Sequence, residues 1–181
     1  MREVNDRRLV ITVVGAGDAD DRLTALAREA GTEIARAGAV LLCGGRGGVM
    51  AAAARGAREA GGLAVGVLPG ASRAETPPDP HLDLALFTGL GQARNQILVV
   101  SADAVVGMGG GWGTLSEIGL ALKYRVPVVL LESWELVRPD GAADPLLERA
   151  ATAPEAVARA LRAAEERRAE ERPGGGTRAA T

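Results

Sequence analysis

The sequence is poor in the residue types that most often do chemistry unaided. Its 181 residues hold one cysteine, Cys43, and one histidine, His81, which excludes an intramolecular disulfide, a CxxC redox pair and a His-rich or Cys-rich metal site. No bound metal is expected. Of the 21 basic residues only Lys123 is lysine, and no Gly-Lys-Ser/Thr step occurs, so the lysine phosphate loop of the P-loop NTPases is absent. Charge of one sign is lacking too. A net charge of −2 supplies no field that would draw in a nucleic-acid polymer. No apolar run reaches about 18 residues, and the charged start Met1 to Arg8 carries no signal-peptide pattern. A cytoplasmic protein with neither a membrane nor a nucleic-acid partner is expected.

What the sequence has is apolar material and glycine. Hydrophobic residues make up 47%, enough for a sizeable core. Glycine, 25 of 181, is about twice average usage. The β-branched run Leu9 to Val14, closed by Gly15 and Gly17, reads as a buried strand and tight turn. From Asp20 to Ala37 apolar residues recur at three and four, the spacing of a helix, with Gly38 ending it. A strand at Ala39 to Cys43, a helix at Val49 to Ala60 and a strand at Leu63 to Leu68 follow. Prolines 77, 78 and 80 forbid a regular helix in the stretch Pro69 to His81. Further on, the pattern predicts a helix over Leu90 to Ser101, a strand over Ala104 to Gly107 and a helix over Thr114 to Tyr124. A strand over Val126 to Leu131 and a last helix over Pro154 to Glu171 complete it. Such alternation predicts an α/β fold: a Rossmann-like, doubly wound parallel sheet with helices on both faces, a three-layer sandwich with right-handed crossovers. One nucleotide-binding domain over 1–172 is expected, with a disordered tail at 173–181.

Ligands of an open parallel sheet sit beyond the carboxyl ends of its strands. Three loops there are glycine-rich: Gly15-Ala16-Gly17, Gly44 to Gly48, and Gly109 to Thr114. A dinucleotide site is not indicated, because the third glycine of G-x-G-x-x-G is replaced by Asp20 and the second strand ends in Cys43-Gly44 rather than an acid. The third loop suits a phosphate: glycines admit an anion close to the backbone, and the helix that follows offers free N–H groups. Thr114 and Glu117 have the Thr-x-x-Glu spacing of a capping box. Glu117 therefore either folds back on the helix start or faces a ligand, and the spacing alone does not decide.

The segments Gly91-Gln92-Ala93-Arg94-Asn95, Ser101-Ala102-Asp103-Ala104 and Gly109-Gly110-Gly111-Trp112-Gly113-Thr114-Leu115-Ser116-Glu117 resemble the LOG (Lonely Guy) superfamily of Rossmann-like proteins, once misnamed lysine decarboxylases. That family's mark is P-G-G-x-G-T-x-x-E preceded by an arginine on a helix. Gly44-Gly45-Arg46-Gly47-Gly48-Val49-Met50 is similar to its second glycine loop. The resemblance covers roughly Leu9 to Leu131 and looks closest to the branch of the molybdenum cofactor carriers. Phosphoribohydrolases of the superfamily have proline where this chain has Gly109, and usually lysine where it has Asn95.

The resemblance implies a protein that binds a phosphorylated heterocycle, such as molybdenum cofactor, or alternatively a hydrolase splitting nucleoside 5′-monophosphates into base and ribose 5-phosphate without any cofactor. In either case Gly15, Gly17, Gly44, Gly45, Gly47, Asn95, Gly110, Gly111, Gly113 and Thr114 would hold the ligand. Arg94 and Glu117 would be the catalytic pair of a hydrolase, with Arg94 also binding the ligand. A homo-oligomer, dimer or tetramer, is implied as well. Four residues have plainer readings: Cys43 as a small buried residue, His81 as an exposed loop residue, Arg46 as solvent-exposed, and Trp112 as a packing or subunit contact. The alanine-rich helix permits close packing against the sheet or against another subunit.

Overall fold

The computed structural model describes residues 7–171; the tail expected to be disordered lies outside them. Seven strands form one sheet in the order β4-β3-β2-β1-β5-β6-β7, and every neighbouring pair is parallel. They are β1 (Val10–Gly15), β2 (Val40–Cys43), β3 (Leu63–Leu68), β4 (Leu84–Phe87), β5 (Ala104–Met108), β6 (Val128–Leu131) and β7 (Leu147–Ala150). The helices are α1 (Asp21–Arg36), α2 (Val49–Glu59), α3 (Arg94–Val100), α4 (Trp112–Lys123) and α5 (Ala153–Glu170). The expected Rossmann-like sandwich is what forms.

Side chains alternate across each strand, and so the sheet has two cores. Ile11 and Val13 of β1 face a layer made by α1, α2 and α5, while Val14 faces α4 with Val105, Ile118 and Leu130. Leu98 of α3 covers Val65 and Val67. The inner strands bury both faces, which is why they read as near-continuous apolar runs. The alanines of α2 are taken up within the chain. Helices α1 and α2 approach so closely that a Cβ on Gly31 or Gly56 would lie 2.0 or 1.9 Å from a carbonyl oxygen of the other helix.

Two strands went unpredicted, and they are the sheet edges. β4 follows the proline stretch with four residues, and β7, Leu147-Glu148-Arg149-Ala150, carries two charges. Each pairs on one side only. The predicted helix over Leu90 to Ser101 is a 3-10 turn at Gly91–Ala93 followed by the shorter α3. Among the described residues no helix is long and apolar enough to cross a membrane.

Candidate functional site

From β1 the chain winds outward to β2, β3 and β4 on one side, then returns to β5 and winds the other way. The β1 and β5 loops consequently diverge at their carboxyl ends and leave a crevice there. Gly15, Gly17, Gly47, Arg94, Asn95, Gly111, Gly113, Thr114 and Glu117 all line one cleft of about 380 Å³ at this point. Ala16, Arg46, Met50 and Gln92 complete it. Of the predicted residues, Gly44, Gly45 and Gly110 stand outside the lining. Gly44 is nonetheless a neighbour of the cleft: a Cβ there would sit 2.8 Å from both Arg94 Nη2 and Met50 Sδ. Its missing side chain makes room for the guanidinium.

Helix α4 begins at Trp112, with Gly111 as its N-cap and no side-chain cap. This corrects the expected start at Thr114, and it resolves Glu117. Thr114 is already inside the first turn, so the capping box cannot form, and Glu117 projects from the second turn into the cleft. The first N–H groups of α4, from Trp112 to Thr114, have no acceptor within the helix.

Glu117 and Arg94 are both buried, and Arg94 Nη1 donates to Glu117 Oε1 at 3.2 Å. Burial pushes the Glu117 carboxyl above its ordinary value, opposed by the adjacent guanidinium. Burial likewise lowers Arg94, opposed by Glu117, but a guanidinium starts so high that it stays charged. The bond to Glu117 is the single side-chain hydrogen bond Arg94 makes, and its Nε has no partner at all among the described residues. Asn95 Oδ1 is in the same condition.

The loop before α4 is held from a direction the sequence did not reveal. Gly109 N–H donates to the carbonyl of Glu132 at 3.0 Å, and the Ser133 hydroxyl donates to the carbonyl of Gly109 at 2.6 Å. Glu132 itself has φ of 49°, a left-handed conformation that is uncommon outside glycine, and it pairs with Arg22 of α1. Gly109 and Gly110 have φ of 55° and 114°, which explains why the loop needs glycine at both positions.

The remaining single residues fall out simply. Cys43 is fully buried, and burial pushes its thiol up to about 12, which favours the protonated, unreactive form. Arg46 is exposed at the cleft wall. Trp112 is 78% exposed and lies against Trp134, ring centroids 5.4 Å apart, away from the cleft lining. His81 is half-buried beside Asp79, Nδ1 to Oδ1 2.9 Å. A hollow of similar size, about 360 Å³, opens at the other end of the sheet near Tyr124, Arg125 and Glu170, but it has no glycine loop and no helix N-terminus.

Comparison with known proteins decides the family. The SLOG cluster4 family model matches residues 8–164. The chain belongs to that family. SLOG cluster4 membership bears out the LOG-type resemblance carried by the glycine loops. Among solved structures, the chain is similar to the molybdenum cofactor binding protein of Rippkaea orientalis, with 38% identity, TM-score 0.77, and coverage of 87% of this chain and 97% of that one. The molybdenum cofactor carrier protein of Chlamydomonas reinhardtii matches at 37% identity and TM-score 0.77, over 87% and 98% of the two chains. A cytokinin riboside 5′-monophosphate phosphoribohydrolase of Mycobacterium tuberculosis is 34% identical over 62% of this SLOG cluster4 chain and 64% of its own length.

Proposed function

We propose that the protein binds a phosphorylated flat heterocycle of the molybdenum-cofactor type in this cleft, and that it holds the ligand reversibly as a carrier does. The supporting observation is Arg94: a buried guanidinium that, among the described residues, has one protein hydrogen bond and an orphaned Nε. A buried donor left without a partner costs about 1–3 kcal/mol, a penalty an anionic ligand would relieve. The N–H groups at the start of α4 and the turn that runs from the buried Gly15 to the exposed Gly17 would receive the phosphate. We assign ligand contact to Gly15, Gly17, Gly47, Asn95, Gly111, Gly113 and Thr114, with Gly44, Gly45 and Gly110 shaping the loops behind them. No metal or further cofactor is invoked. We place the protein in the cytoplasm, as a homo-oligomer acting on a small molecule.

Glu117 favours a second reading, hydrolysis of a nucleoside 5′-monophosphate. A buried carboxylate with a raised pKa, placed beside the phosphate anchor, suits a group that orients water or ribose hydroxyls as the glycosidic bond loosens. Among the described residues Arg94, Arg46 and Glu117 are the titratable groups that line the cleft, so one carboxyl would have to serve both the water or ribose and the leaving base. That favours the carrier. Titration calorimetry with molybdopterin, run beside an assay for ribose 5-phosphate release from AMP, tests both. Tight binding without release is expected; turnover abolished in Glu117→Ala would overturn the carrier reading in favour of the hydrolase.

A further inference from the structure

The cleft holds a second orphan besides Arg94, and its orientation says something about the ligand. Asn95 is 5% exposed and lines the cleft. Its amide contacts Ser116 Oγ at 3.4 Å, and the Ser116 hydroxyl lies 2.7 Å from the Gly113 carbonyl. A carbonyl can only accept, so the hydroxyl hydrogen is committed to Gly113 and the Ser116 oxygen is left with lone pairs alone. The Asn95 atom that faces it must then be the amide nitrogen. That orientation turns Oδ1 the other way, where it is buried and has no partner among the described residues. Gly113 belongs to the first turn of α4, so the chain from Asn95 through Ser116 to Gly113 ties this amide to the helix start proposed to hold the phosphate.

Resting on the proposed binding reading, we infer that Asn95 is a specificity-determining residue, whose Oδ1 accepts a hydrogen bond from an N–H or O–H group of the phosphorylated ligand. Ser116 is its positioning residue. A site built to accept from a ligand donor discriminates strongly against ligands that lack one, because the buried acceptor is then stranded. A lysine at position 95 would reverse the preference, since an ammonium only donates. The selected ligand therefore carries a donor within reach of its phosphate, either on the heterocycle or on the sugar.

Three probes test this by calorimetry: inorganic phosphate, ribose 5-phosphate, and 5′-GMP, which adds a base with amino and ring N–H donors. The wild-type protein is expected to bind at least one of the two organic phosphates more tightly than inorganic phosphate. In Asn95→Leu that preference should fall roughly five- to thirtyfold. A fall confined to GMP assigns the donor to the base, and a fall in both assigns it to a sugar hydroxyl; either supports the inference. Ser116→Ala frees the amide to turn and should erode the same preference about two- to fivefold, while Ser116→Thr, which keeps the hydroxyl, restores it. Melting temperatures of all variants separate this from lost folding. An unchanged preference in both Asn95→Leu and Ser116→Ala overturns the inference, as does a wild type that gains nothing over phosphate. Failure of the wild type to bind even inorganic phosphate overturns the binding reading itself.

Discussion

At the amino end of β5 the Asp103 carboxylate, 4% exposed, receives two hydrogen bonds from Arg7, two from Arg168 and one from the Val10 N–H. Beyond the carboxyl end of the same strand the Arg94 guanidinium, equally buried, makes one. The two regions show what buried charge is for. A saturated carboxylate fastens the start of β1 and the last turns of α5 to the sheet, and nothing remains on it for a ligand. A guanidinium with most of its donors unused does little for the fold and much for recognition of an anion.

The comparison is most directly broken at Asp103. Asp103→Ala strands the Val10 N–H and leaves Arg168 without its anion, and denaturant unfolding should show a loss of about 3 kcal/mol. Phosphate affinity per folded molecule should stay as it was. The converse experiment replaces the pair at the other end. Arg94→Met combined with Glu117→Gln should leave stability within about 1 kcal/mol of the native value, since exchanging a buried pair for neutral groups is often close to neutral. Inorganic phosphate affinity should fall roughly ten- to hundredfold. A large stability loss in this double variant would remove the contrast. Next in size is Ser133→Ala, which unties Gly109 from the exit of β6; ligand affinity should drop by about 1 kcal/mol, with little change in melting temperature.

The smallest effect expected is in pH dependence, and the two carboxyls have opposite signs. Burial works against the Asp103 carboxylate, but the hydrogen bonds from Arg7, Val10 and Arg168 outweigh it and hold its pKa below the ordinary value. Its stabilisation is present above the unfolded pKa of about 3.9 and is lost as pH falls through the folded one. Glu117 is raised by burial, so its contribution is complete below the unfolded pKa of about 4.3 and declines as pH rises through the folded value. Unfolding free energy measured against pH should keep its acid-side fall in Glu117→Gln and show a smaller one in Asp103→Ala, where Glu59 and Glu155 still contribute. On the rising side, Glu117→Gln should flatten the decline.

Inner strands were legible because burial on both faces forces continuous apolar sequence, as in Leu9 to Val14 and Val126 to Leu131. The edge strands were not: β7, with one neighbour, tolerates the charged Glu148 and Arg149 and leaves no periodic mark, while β4 is apolar but only four residues long and follows directly on the proline-rich stretch. Thr114 misled in the same manner. Thr-x-x-Glu is a good cap by spacing, but Gly111 already fills the N-cap position, and the helix starts two residues early.

Composition and local pattern alone determined the layered α/β architecture, the glycine loops at the strand ends, and the scarcity of thiol and imidazole groups. Those features depend on which residues can be buried and which backbone angles glycine permits, and both are local properties. Only the tertiary structure decided that Arg94 meets Glu117, that Ser133 holds Gly109, and that Asn95 turns its oxygen away from Ser116. These partners lie 21 to 24 residues apart, and crossovers of the chain, not any spacing in the sequence, bring them within reach of one another.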